Sequence, residues 1–137
     1  MDRRELQEIS KLRLREAEAL LSAGLSDGAY YLAGYSVECA LKACIAKATR
    51  RYEFPDKKRV DSSYSHNLPD LLNVAGLKLL HQHRAASDSE FRDNWEIVQR
   101  WSERTRYERN GVAAAEDLLK AIADKRHGVI AWLKQHW

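Results

Sequence analysis

The chain has 137 residues, 45% of them hydrophobic and 31% charged, with a formal net charge of +3. That size fits one domain with a core of its own, and the composition excludes a disordered or membrane-embedded chain. The weakly basic balance falls short of the charge density that would by itself point to nucleic acid. Two prolines and six glycines favour long helices over a sandwich of short strands. Met1-Asp2-Arg3-Arg4-Glu5 carries charge and no apolar run, so no secretory leader is expected and the cytoplasm is the expected location.

A first helix is predicted from about Arg3 to Ala23. Asp2 and Glu5 form a capping box at its start, and Gly24 suits the left-handed stop. Leu6, Ile9, Ala17, Leu20 and Leu21 share one face, with Arg13 inside that stripe as a snorkelling stem or a paired charge. A second helix should follow the Ser26-Asp27-Gly28 turn and run to about Thr49. Its segment Ala29 to Ala48 is apolar around most of its circumference, which places it at the centre of a bundle. Glu38 and Lys42 near its midpoint, and the lack of a second such segment, argue against a membrane span. Cys39 and Cys44 lie five apart on this helix, roughly 140° around its axis, so they read as buried thiols that do not bridge to each other.

Residues 50–65 read as a loop, with Arg50-Arg51, Pro55 and the charged run Asp56-Lys57-Lys58-Arg59. His66-Asn67-Leu68-Pro69 opens a short helix stopped by Gly76, and Leu77 to Arg84 forms another piece. Ser87 and Glu90 make a second capping box for a helix with Phe91, Trp95, Val98 and Trp101 at spacings of three and four. Asn110-Gly111 breaks the chain before a final helix from about Ala113 to Gln135. Gly128 inside that helix costs on the order of 1 kcal/mol and marks a kink or a close contact. His81 with His83, and His127 with His136, lack metal-ligand spacing, and no phosphate-binding glycine loop or nucleophile elbow is present. No metal and no cofactor are expected.

The run Tyr30-Tyr31-Leu32-Ala33-Gly34-Tyr35-Ser36-Val37-Glu38-Cys39-Ala40-Leu41-Lys42-Ala43, followed by Ser65-His66-Asn67-Leu68 with Leu71-Leu72, then Trp101 and Arg106-Tyr107, resembles the HEPN domain family. The resemblance spans nearly the whole chain and implies an all-α, up-and-down bundle of four to five helices that forms a homodimer. It also implies binding of RNA or a nucleotide, or docking of a nucleotidyltransferase or antitoxin partner. Many such domains are metal-independent endoribonucleases with an Arg-x(4 to 6)-His motif at a cleft between protomers. Here Arg106 stands at the arginine position, but residues 110 to 112 are Asn, Gly and Val, and no histidine completes the motif. Arg59 and His66 fit the spacing but lie elsewhere, in the loop and at a helix entrance, where His66 is expected to satisfy backbone groups.

Metal-free RNA cleavage needs a proton-transfer group near neutrality, the usual role of histidine, and a cation against the phosphate, the usual role of arginine. The sequence supplies a candidate for the second role alone. The expected function is therefore binding or docking, with a ribonuclease using His66 as the alternative. A structural module with Phe91, Trp95, Trp132 and Trp137 as an apolar partner face is a third reading. Candidate binding residues are Glu38, Lys42, Arg104, Arg106, Tyr107 and Arg109. Glu38 on a buried helix needs a partner, and Arg106 is the predicted one; Lys42, four residues on, offers an ordinary helical ion pair. Arg100, Arg104, Arg106 and Arg109 around Tyr107 form either a set of helix-end cations or a phosphate-binding edge with a stacking aromatic.

Overall fold

The computed structural model describes residues 1–49, 54 and 56–137, and these are helical with no strand among them. The helices are α1 (Arg3–Ser22), α2 (Ser26–Ala48), α3 (Lys57–Ser63), α4 (Leu68–Val74), α5 (Lys78–Ser87), α6 (Ser89–Val98), α7 (Val112–Ala123) and α8 (Val129–Leu133), with a 3-10 turn, η1 (Glu103–Tyr107), between α6 and α7. The all-α bundle is as predicted; beyond α2 the helices are shorter and more numerous because local caps interrupt them.

At α1 the capping box is complete: Glu5 N donates to Asp2 Oδ1 and Asp2 N to Glu5 Oε2, both at 2.8 Å. Gly24 ends the turn at φ +78°, a conformation that an L side chain resists. Arg13 is partly buried and pairs with Glu16 at 2.7 Å. Helix α2 begins at Ser26 rather than after Gly28, since the Ser26 and Asp27 side chains turn to a distant segment instead of capping. It is the hub, packed by α1, α4, α7, α8 and η1. Ser10 Oγ donates to the Ser36 carbonyl at 2.7 Å, which satisfies a hydroxyl buried between α1 and α2.

The segment predicted as loop contains α3. Lys57-Lys58-Arg59 are good helix formers with no glycine or proline among them, and Ser63 Oγ bonds back to the Val60 carbonyl at 2.6 Å. Arg50, Arg51 and Pro55 lie outside the described residues. Helix α4 starts as its sequence predicts, with Asn67 Oδ1 accepting from Asp70 N at 2.9 Å, and Gly76 closes it at φ +74°.

The cap of α6 is Asp88 instead of Ser87: its Oδ1 accepts from Phe91 N at 3.1 Å, while Ser87 ends α5. The final helix is two pieces. A Cβ on Gly128 would stand 2.3 Å from the Asp124 carbonyl oxygen and 2.7 Å from that of Ile122. Only glycine allows this approach, and Asp124 Oδ2 caps the intervening turn by accepting from His127 N at 2.6 Å. Phe91, Trp95 and Trp132 face inward, 0%, 6% and 4% exposed, so they are core and not an apolar partner face; Trp137 packs partly buried beside them. Each fully buried Leu or Ile, such as Leu41, Leu71 and Ile122, contributes about 1.5–3 kcal/mol by leaving water.

His127, from the α7–α8 turn, donates through Nδ1 to Asp88 Oδ2 at 2.8 Å and meets Glu90 at 3.4 Å. The bond to Asp88 pushes the His127 imidazole above its usual value and holds Asp88 below its own. The imidazolium's contribution is complete below about pH 6.5 and is lost as pH rises through the raised native value; Asp88's is complete above about pH 4 and is lost as pH falls through the lowered one. The gap in melting temperature between wild type and His127→Gln should therefore be widest between these limits and close toward alkaline pH. A gap constant from pH 5 to 9 would contradict the pairing.

Candidate nucleic-acid interface

After α6 the chain returns along α2, fastened at three places. Trp101, 2% exposed, lies flat against Gly34, where a Cβ would stand 2.2 Å from three of its ring atoms. Tyr31 stacks on the same indole with centroids 6.0 Å apart, and Tyr35 stacks on Tyr31 at 6.0 Å. Beyond η1, Asn110 N donates to Asp27 Oδ1 at 2.5 Å and Ser26 Oγ donates to the Asn110 carbonyl at 2.7 Å. Residues 101–110 thus form a strap along the first half of the hub helix.

The third fastening runs through His66. Glu38 is 2% exposed, and its Oε1 meets His66 Nδ1 at 2.5 Å; His66 Nε2 then meets Glu103 Oε2 at 3.3 Å. The predicted Glu38–Arg106 pair is therefore absent: the buried carboxylate turns to the residue just before the α4 cap. His66 does not satisfy backbone groups at that helix entrance, a task taken by Asn67. Lys42 is partly buried and, among the described residues, pairs with neither Glu38 nor any other carboxylate. It lines, with Glu38, a groove of about 400 Å³ walled by Leu6, Ile9, Tyr35, Ile45 and Tyr64.

Arg106 is exposed, with its guanidinium 4.9 Å from the centroid of the Tyr107 ring. The hydroxyls of Tyr107 and Tyr31 push Arg106 further above its already high value, so it is a permanent cation. Tyr107 is 81% exposed, and Arg104 and Arg109 are also on the surface. Over residues 100–109 four arginines, Arg100, Arg104, Arg106 and Arg109, outnumber Glu103 and Glu108, and Glu103 is turned toward His66. The outer side of the strap is a cationic edge with one free aromatic face.

The six predicted site residues fall into two places. Arg104, Arg106, Tyr107 and Arg109 lie on or next to η1, whereas Glu38 and Lys42 line the groove beside α1. His66 links the two through Glu38 and Glu103. The need of Glu38 for a partner is legible from its place on a buried helix, but charge alone does not separate Arg106 from His66. The signal for His66 was its place just before a capped helix, which fixes its side chain where α4 meets α2.

Burial pushes the Cys39 thiol up to about 11 and the Cys44 thiol up to about 12, so neither is a nucleophile near neutral pH. Among the described residues, no three His, Cys, Asp or Glu side chains stand close enough to hold a metal ion, and no helix is long and apolar enough to cross a membrane.

Comparison with curated proteins and with solved structures gave no match. The family model described as HEPN domain matches residues 4–136, nearly the whole chain. With the helical bundle, its hub helix and the strap in place, the chain belongs to the HEPN domain family.

Proposed function

We propose that this chain is an RNA-binding HEPN module whose contact edge is the outer side of η1. The observation that carries this reading is the nearly bare Tyr107 ring with Arg106 against its face, among further exposed arginines. A ring of this kind supplies a stacking surface for an unpaired base, and guanidinium forks supply bidentate contacts to phosphate. Glu38 and Lys42 belong to the groove behind the strap; Glu38 supports the edge through His66. A homodimer would present two such edges.

Binding of a labelled single-stranded RNA, followed by anisotropy over a salt series, tests the reading. Affinity should fall steeply with ionic strength. Arg106→Ala should bind more weakly with a shallower salt slope, and Tyr107→Ala should weaken binding by about 1–3 kcal/mol with the slope unchanged. Affinity indifferent to salt and to both substitutions would favour a protein partner, such as a nucleotidyltransferase or an antitoxin.

A second reading, the metal-independent ribonuclease, draws support from one contact. A buried carboxylate on Nδ1 orients the His66 ring in the way that carboxylates orient catalytic imidazoles. Incubating the RNA with the protein in EDTA separates the two: cleavage abolished by His66→Gln and by Arg106→Ala would establish the enzyme, and intact RNA would leave the binding module.

A further inference from the structure

His66 stands between two carboxylates that come from different elements, Glu38 on α2 and Glu103 on η1. An ionised carboxylate only accepts, whereas a neutral imidazole has a single N–H. The neutral ring can therefore serve one of the two and must turn a lone pair toward the other. Glu38 is buried and has the greater need of a donor, so the single proton belongs on Nδ1. Glu103, with its side chain 44% exposed, then faces the unprotonated Nε2 at 3.3 Å. Only the imidazolium favours both contacts.

In a 3-10 turn the side chains at i and i+3 eclipse, with a rise of roughly 6 Å between them. Glu103 and Arg106 therefore share one face of η1. The hold on Glu103 helps to set where Arg106 and the adjoining Tyr107 stand, beside the contact of Arg106 with Tyr31 on α2. The flanking anchors, Trp101 against Gly34 and Asn110 on Ser26 and Asp27, contain no histidine and persist whichever form the ring takes. We infer that His66 is a positioning residue that acts through Glu103: in its doubly protonated form it seats η1 against α2, and in its neutral form it frees that turn and the Arg106–Tyr107 edge with it.

The charged groups around this link are few. On the α1–α2 side, Tyr35 and Cys39 adjoin Glu38, and Arg13 and Lys42 are the cations that act on Cys39. Among the described residues, α3 and α4 place no carboxylate within ion-pair distance of the ring. The inference rests on the proposed function for its consequence in binding, but not for the motion of the turn.

The test is amide hydrogen exchange of residues 103–107 in the full chain between pH 5.5 and 8.5, corrected for intrinsic rates, beside the ring resonances of His66. In wild type, protection should fall roughly two- to fivefold as the ring loses its proton, the range of an exposed ion pair. Glu103→Gln should keep η1 protected across the whole range, because an amide can donate to the neutral Nε2 while Nδ1–H stays on Glu38. His66→Gln should show a constant protection with no titration.

Wild-type protection unchanged across the titration of His66 would overturn the inference. So would a Glu103→Gln variant that retains the wild-type response, which would assign it to another group such as His127. RNA affinity measured on the same three proteins should follow protection. If η1 follows the ring and affinity does not, the positioning role stands and the binding reading falls.

Discussion

Gly34→Ala is expected to lose about 1–3 kcal/mol of stability, the cost of forcing extra volume into a packed site. Helix propensity alone predicts the opposite sign, since alanine in a helix interior is favoured over glycine by roughly 1 kcal/mol. The clash decides the outcome: the new methyl group would stand 2.2 Å from Cγ, Cδ1 and Nε1 of Trp101. That indole is 2% exposed and stacked on Tyr31, so it cannot swing aside without lifting the start of the strap. Gly28→Ala is the control, because its methyl would meet only the mobile tip of Leu20 at 3.2 Å. Urea melts should show Gly34→Ala weakened and Gly28→Ala close to wild type. Equal or raised stability for Gly34→Ala would mean that the indole does not sit on the hub helix.

Phe91→Ala should be more damaging still, about 3–5 kcal/mol, out of a total that for a domain is roughly 5–15 kcal/mol. The ring is fully buried, with centroids 5.4 Å from both His81 and Trp132, and the Arg84 guanidinium lies 5.6 Å from its own centroid. Truncation would open a cavity where α5, α6 and α8 meet. The same pocket keeps His81 neutral, since burial pushes its imidazole below the usual value. The unfolded chain takes up a proton that the native state resists, so this histidine costs stability as pH falls below about 6.5. Leu79→Ala, at a side chain 71% exposed on α5, should change stability by less than about 0.5 kcal/mol. Comparable losses for Phe91→Ala and Leu79→Ala would contradict the packing.

Features encoded over three or four residues were legible in the sequence: the Asp2–Glu5 box, the stops at Gly24 and Gly76, and the helix start at 66–69 stand as expected, although the cap there is Asn67 and not His66. Gly128 was legible as a point of trouble, but the full break needed the Asp124 turn, which competes with helix only once a nearby carbonyl approaches the glycine. Ser87 and Asp88 are adjacent and both good caps. The choice fell to Asp88 because its second oxygen also binds His127, 39 residues away.

The site divides along the same line. The place of Arg106 and Tyr107 beyond the amphipathic helix was legible, but the exposure of Arg106 was not, because it was the expected partner of Glu38; the true partner depended on how α4 packs against α2. Local periodicity carries no information about that packing. Gly34 was recognised only as a small residue that permits close approach; that the approaching group is the Trp101 side chain, rather than a helix backbone, is a property of the assembled bundle.

The most direct test of the binding edge is a titration of isotope-labelled protein with a short single-stranded RNA at low salt, followed by amide and side-chain NMR shifts. The account predicts the largest changes at residues 103–109, with Arg104, Arg106 and Arg109 side chains and the Tyr107 ring foremost, and little change on α5. Changes centred on α5 or α7 with residues 103–109 unmoved, or no change at saturating RNA, would contradict it.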